Sequence, residues 1–422
     1  MNTTDMTRRR FMKTTAAAAA AGAVYQPVRA AGSDIIKVGL IGCGGRGTGA
    51  AINCTDADPA VKIVAMGDLF QDHLDSSYER LAKGYTGWQG EEVKSRGEQM
   101  DVPPERRFVG FDAYKKVIEC DIDMVIMASP PHFRPMQFDA AIKAGKHVFM
   151  EKPVAVGPAG ARSIMQTAKL ADEKGLSVVA GTQRRHSAPY LEVMKRIHDG
   201  DIGDIVSAQA YWLGGPPWWE KGPKLYHQQF VENWSDLEYQ IRNWFHFTRF
   251  SGDIIVEQHV HNLDVVNWGI GALPVNAVGT GGAQRRRGDG YGNIYDHFTI
   301  QYEYPNGVQV TSMCRQMDNC ANRVSETIMG SKGIAYLWGS SGKIEGKKSY
   351  EFTGDSPNMM VQEHKDLIAS MRGEISRLND GQRIAESTLT AVLGRMTAYT
   401  GRAVKYDWVL NKSQLNLFVA PL

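Results

Sequence analysis

The sequence predicts an α/β protein: a parallel sheet wound with helices comes first, and an α+β part with a large, mostly antiparallel open sheet follows. Three observations predict it. Residues 35–41 form an apolar run of the kind a strand buried on both faces requires, and the run passes directly into a glycine-rich turn. Strand-like and helix-like runs then alternate up to about residue 153, the pattern of a parallel sheet. Beyond that point longer strand-like runs recur with turn signals between them, as in an antiparallel sheet.

The elements follow in order. Gly42-Cys43-Gly44-Gly45-Arg46-Gly47 leads into a helix through Ile52, and residues 61–66 form a second strand that ends at Asp68. The polar stretch 83–104 reads as a surface insertion. Residues 123–128 and 147–150 are further strands, and 114–119 and 136–144 are helices. After Pro153 come a helix at 159–174, a strand at 177–180 and a helix at 189–198. Strands are then expected at 205–212, 274–279, 298–302, 308–314 and 325–329, with Pro305-Asn306-Gly307 marking a turn. Helices at 362–371 and 383–400 close the chain.

A length of 422 residues implies about two domains. The first thirty residues carry Arg8-Arg9-Arg10, a mild apolar run at 16–24 and Val28-Arg29-Ala30, the order of a twin-arginine signal. The expected division is therefore a signal peptide at 1–30, a dinucleotide-binding domain at 31–153 and a substrate and oligomerisation domain at 154–422. Export in the folded state by the twin-arginine machinery places the mature protein in the periplasm or outside the cell. Removing 1–30 takes the 48 Lys and Arg to 43 and the 46 Asp and Glu to 45, a net charge of −2, which leaves no basic face for nucleic acid. After the signal no run approaches the roughly 18 apolar residues of a membrane span. The five cysteines lack C-x-x-C spacing, so neither a disulfide framework nor a zinc knuckle is expected.

The glycine turn carries the first chemistry. Gly42 permits the tight turn, Gly44 lets backbone approach a pyrophosphate, and Gly47 allows close helix–strand packing, while the following helix aims its N–H groups at the phosphates. Asp68 stands where a carboxylate binds ribose hydroxyls and repels a 2′-phosphate, which favours NAD, with NADP left open. A cofactor loaded before export would need to be tightly held.

Ala128-Ser129-Pro130-Pro131-His132 and Glu151-Lys152-Pro153 follow two further strand ends, where open parallel sheets bind ligands. With Ala144-Gly145-Lys146-His147-Val148, Gly181-Thr182-Gln183-Arg184-Arg185, the stretch from Gly252 to Asp264 and the late Thr400-Gly401-Arg402, these residues resemble the glucose–fructose oxidoreductase and inositol dehydrogenase family (Gfo/Idh/MocA) from about residue 35 to the C-terminus. The resemblance implies a Rossmann domain followed by an α/β domain whose open sheet helps form homodimers or homotetramers. It places the catalytic lysine at Lys152 and cofactor contacts at Gly42, Gly44, Gly47, Asp68, Ser129, His132 and Glu151, with Arg46 of the same loop beside them.

The expected activity is hydride transfer at a hydroxyl carbon of a sugar, cyclitol or glycoside, with Lys152 assisting and His261 as general base. On a helix Glu257, His261 and Asp264 share one face, so Glu257 would tune His261. The family commonly has Asp at position 257, and the extra methylene here changes the acid's reach. His259 and His261 diverge on a helix, so no metal centre is expected. Trp218, in the aromatic run 211–219, together with Arg184, Arg185 and Asp264, is expected on the substrate side. The run itself suits either sugar stacking or a core or subunit contact. The alternative activity is NAD-dependent glycoside hydrolysis through a transient 3-keto sugar, with elimination and rehydration. A non-catalytic sensor would lack Lys152 or His261, and both are present.

Overall fold

The computed structural model describes residues 35–87, 90–216, 234–287 and 291–417. Six strands form the parallel sheet: β1 (Ile36–Ile41), β2 (Val61–Asp68), β3 (Arg107–Val109), β4 (Met124–Met127), β5 (His147–Met150) and β6 (Val178–Ala180). Their order is β3-β2-β1-β4-β5-β6. The direction of winding reverses between β1 and β4, so the carboxyl ends of these two strands open a crevice. Helices α1 (Gly45–Ala57), α2 (Gln71–Lys83), α3 (Ala113–Glu119), α4 (Arg134–Lys143) and α5 (Pro158–Glu173) connect the strands. The central strands are buried on both faces, which is why they read as unbroken apolar runs. The sheet draws its sixth strand from beyond residue 153, because Val178–Ala180 pairs with β5.

Helix α6 (Ala188–His198) leads to the second sheet, which holds β7 (Ile205–Gly214), β8 (Asn276–Gly282), β9 (His297–Glu303), β10 (Gln309–Gln316), β11 (Arg323–Gly330), β12 (Gly333–Trp338), β13 (Ser341–Gly346), β14 (Tyr350–Glu351) and β15 (Val404–Lys405). The order is β14-β13-β12-β11-β7-β10-β9-β8-β15. One pairing, β7 with β10, is parallel and the rest are antiparallel. Helices α7 (Asp236–Arg242), α8 (Ile254–Glu257), α9 (Val260–Ile270), α10 (Met359–Arg372) and α11 (Gly381–Thr400) accompany the sheet, with short helices at Thr248–Ser251 and Tyr406–Asn411.

One face of this sheet is packed. Tyr302 on β9 and Tyr304 just after it donate hydrogen bonds to the Thr390 carbonyl of α11 (3.1 Å) and to Asn267 Oδ1 of α9 (2.5 Å). The other face stays open, with Val278 and Trp338 exposed and Met313, Ile334 and Tyr336 half-buried.

Two local outcomes differ from the sequence reading. The stretch expected as one helix through 257–264 is two, because the turn at Gln258 and His259 separates α8 from α9. Strands β12 to β15 were not foreseen: β13 is mostly Gly, Ser, Lys and Glu, which carry little β-propensity, β14 and β15 are two residues long, and β12 has a strand-like run, Ile334 to Trp338, that was not among those expected. Late in the chain, α10 returns to the parallel sheet, where Leu367 and Ile368 join the cluster containing Val38, Leu40 and Phe149. No helix among the described residues is long and apolar enough to cross a membrane.

Candidate active site

The glycine turn is dictated by what lies behind it. Gly42 has φ +90°, and a Cβ there would sit 2.4 Å from the Ser129 nitrogen. A Cβ at Gly47 would lie 1.8 Å from the Gly42 carbonyl oxygen, so α1 can approach β1 only with glycine there. Gly44 has nothing within 4 Å, so its face is open for a ligand. Asp68 accepts hydrogen bonds from the backbone N–H of Cys43 (2.6 Å) and of Phe70 (2.9 Å), which aims its carboxylate at the turn. His73 lies 3.7 Å from it, and Asp68 raises its pKa above the ordinary value.

These residues line a cavity of about 460 Å³ that also takes in Ser129, His132 and, from across the cleft, Leu237 and Trp244. Ser129 donates to Gln137, and the buried His132 ring lies against the Arg249 carbonyl oxygen (2.8 Å) between Phe133 and Phe250. Burial lowers the pKa of that ring. An anionic dinucleotide fits the donor set: an unobstructed Gly44, the N-terminus of the 13-residue α1 and a carboxylate at the end of β2.

A second cavity of about 610 Å³ shares Gly44, Ala128, Ser129 and Trp244 with the first, and holds Lys152, Glu257 and His261. Lys152 follows β5 and its peptide bond to Pro153 is cis. Its ammonium donates to the Glu257 carbonyl oxygen and to Glu257 Oε1 (3.0 Å), with both side chains about nine-tenths buried. Glu257 therefore fixes the lysine, and no hydrogen bond joins it to His261 among the described contacts. Its Oε2 is buried with no partner among the described residues.

His261 stacks on Trp212 of β7, with ring centroids 6.0 Å apart and planes 18° apart, and its Nδ1 also has no partner among the described residues. Burial, then the Lys152 and Arg184 charges, hold the imidazole well below its ordinary pKa, so it is neutral at physiological pH. Buried Glu151 pairs with Arg46, which also reaches Glu363 of α10 at 3.6 Å. Trp244, expected from the sequence among the aromatics near a cleft, lines this cavity, as do Gln183 and Gln258 of the quoted motifs and Glu363, which the sequence reading missed. Glu363 belongs to no local motif.

Other expected site residues lie elsewhere. Asp264 is buried and paired with Arg185 (2.7 Å), Arg383 (2.9 Å) and Ser387 (2.8 Å). Arg185 also stacks on Trp268, at 4.4 Å from the ring centroid. Arg184 is buried against Glu326, itself bound by Tyr190 and Asn262. None of the three is among the residues lining either cavity, because each charge has a buried partner on a neighbouring element. His259 turns to Ser312 of β10 (2.7 Å), away from the cavity His261 faces. Trp218 lies outside the described residues.

A wound parallel sheet with this glycine turn, joined to an open sheet that shares its cleft, defines a two-part dinucleotide-binding protein of the oxidoreductase kind. Residues 36–181 match the NAD-binding Rossmann-fold model of the Gfo/Idh/MocA oxidoreductases and residues 190–336 match a C-terminal domain model of the same family. The chain belongs to the Gfo/Idh/MocA family.

Among curated relatives it is 28% identical over 190 residues to 2,7-anhydro-N-acetylneuraminate hydratase of Escherichia coli (strain K12), covering 45% of each chain. It is 30% identical over 168 residues to inositol 2-dehydrogenase of Klebsiella pneumoniae (strain 342), covering 40% of this chain and 43% of that one. The match thus spans less than half the length of either relative. Among solved structures, the aldose-aldose oxidoreductase of Caulobacter crescentus complexed with glycerol superposes with a TM-score of 0.66 at 17% identity, covering 88% of this chain and 99% of the other. The scyllo-inositol dehydrogenase of Lactobacillus casei with bound NAD(H) and scyllo-inositol gives 0.63 at 17% identity, covering 88% and 99%. These likenesses carry the fold.

Proposed function

We propose that the protein is an NAD-dependent oxidoreductase acting at a hydroxyl carbon of a sugar, cyclitol or glycoside. The observation that carries this is the single cavity in which a fixed ammonium and a neutral imidazole meet the open edge of the glycine turn. Gly42, Gly44, Gly47, Ser129 and Asp68 would hold the dinucleotide, and Asp68 favours NAD over its 2′-phosphorylated form. When bound, the nicotinamide supplies the hydride acceptor. Lys152, held by Glu257, hydrogen-bonds the substrate oxygen and stabilises its developing negative charge. His261, kept neutral, takes the hydroxyl proton. The inositol dehydrogenase relative supports a polyol substrate.

A second reading has one observation in its favour. The buried, unpartnered Glu257 Oε2 is a further base in the same wall, and a hydratase is among the relatives. A ring ketone acidifies the neighbouring C–H. Glu257 takes that proton, the leaving group departs, water adds and the ketone is reduced again, for net hydrolysis. Purified protein incubated with NAD and a panel of free sugars, cyclitols and aryl glycosides separates the two. NADH accumulation with free polyols supports oxidation, aglycone release without net NADH supports hydrolysis, and neither on any substrate would sink both.

The paired arginines at 8–10 support export through the twin-arginine pathway, with the nucleotide loaded beforehand and tightly held. Fractionation of cells expressing the full chain, with Arg8 to Arg10 changed to Lys in a control, tests it: only the unchanged chain should reach the periplasm or medium.

A further inference from the structure

Glu363 lies where no motif points. It is carried by α10, is 1% exposed, and lines the larger cavity beside Gly44, Gly45 and Arg46. Its Oε1 is 3.6 Å from Arg46 Nη2, and its Oε2 is buried with no partner among the described residues. The Arg46 Nε is already taken by Glu151, so one guanidinium serves two buried carboxyl groups. A second bare carboxylate in that position would be uncompensated, which a buried charge rarely is. Burial, followed by repulsion from Glu151, holds the Glu363 carboxyl well above its ordinary pKa. The group therefore keeps its proton and carries a donor with nothing of the protein to receive it.

We propose that Glu363 is a cofactor-contact residue whose carboxyl O–H donates a hydrogen bond to an oxygen of the bound dinucleotide where it crosses the Gly44–Arg46 turn. The anionic ligand would repel a carboxylate at this point and is matched by a carboxylic acid. The charges that act on Glu363 are Arg46 on α1, Glu151 after β5, Asp366 on its own helix and Asp380 ahead of α11. None but Arg46 lies within ion-pair distance.

The test is NAD titration of the full-length, nucleotide-stripped protein across a pH series, read by binding and not by turnover. In the wild type, affinity is level at acid pH and falls as pH rises past the point where Glu363 gives up its proton. Glu363→Gln keeps a donor, so its affinity stays close to wild type at acid pH and remains level on the alkaline side. Glu363→Ala binds NAD about tenfold more weakly at acid pH, the loss expected for an unmade buried hydrogen bond. His73 also titrates near the cofactor, but it is common to all three proteins, so the difference between profiles belongs to Glu363. Unchanged affinity in Glu363→Ala, or a Glu363→Gln profile that tracks the wild type, overturns the proposal. If the alanine variant fails to fold, the glutamine profile alone decides.

Discussion

At the scale of single residues, the site is an exercise in fixing one charge and withholding another. Lys152 is anchored twice by Glu257, through a carbonyl and a carboxylate oxygen, while burial keeps His261 uncharged. Changing Lys152 to Met is expected to lower kcat by about a thousandfold, with the NAD dissociation constant within a few-fold of wild type. Steady-state kinetics together with a fluorescence titration checks both halves. Asp68→Ala removes the carboxylate that would repel a 2′-phosphate, so the preference for NAD over NADP should fall at least tenfold in competitive binding. Gly42, Asp68 and Lys152 were legible in the sequence because each stands in a short motif at a strand end, and His261 because it stands in the stretch from Gly252 to Asp264. Arg184, Arg185 and Asp264 look the same in one dimension, as polar groups in apolar surroundings. Only the folded chain shows that they pair with Glu326, with one another and with Arg383.

At the scale of elements, the parallel sheet was readable because strands buried on both faces leave continuous apolar runs, and a tight turn needs its glycines. Gly42→Ala should abolish NAD binding and cost about 2 kcal/mol of stability, since the position has positive φ and its Cβ would meet the Ser129 nitrogen. A chemical denaturation curve beside a binding isotherm measures the two losses. The break between α8 and α9 was not readable, because nothing local distinguishes Glu257-Gln258-His259-Val260 from continuous helix. What decides it is tertiary: Glu257 is drawn to Lys152 and His259 to Ser312. Glu363 escaped for the same reason, reaching the cleft through contacts between segments far apart in sequence.

At the scale of the whole molecule, buried histidines set the acid limit. Burial holds His147 and His246 down at about 4 and His259 at about 3. Each stays neutral in the native state at a pH where the unfolded chain, near 6.5, takes up a proton. Stability is therefore complete above about pH 6.5 and falls as pH drops toward 4, by about 1.4 kcal/mol per unit for each group. Asp253, pushed up to about 6 from its usual 3.8 by burial, and Glu363, held well above its usual value, have the opposite sign and offset two of them. A melting temperature that declines steadily from pH 6.5 to 4 is expected, and a flat one would contradict the burial of these rings. The open face of the second sheet, with Val278 and Trp338 exposed, is expected to be covered in a homo-oligomer. Trp338→Glu should shift the mass measured by light scattering toward the monomer.

The return of α10 to the first sheet also bears on biosynthesis. A nascent chain that has emerged only through its glycine turn and lysine strand still lacks the wall that Met360 and Glu363 provide. The larger cavity is completed only once α10 has left the ribosome, so the nucleotide should be captured no earlier than that, and a chain truncated before Met359 should emerge empty.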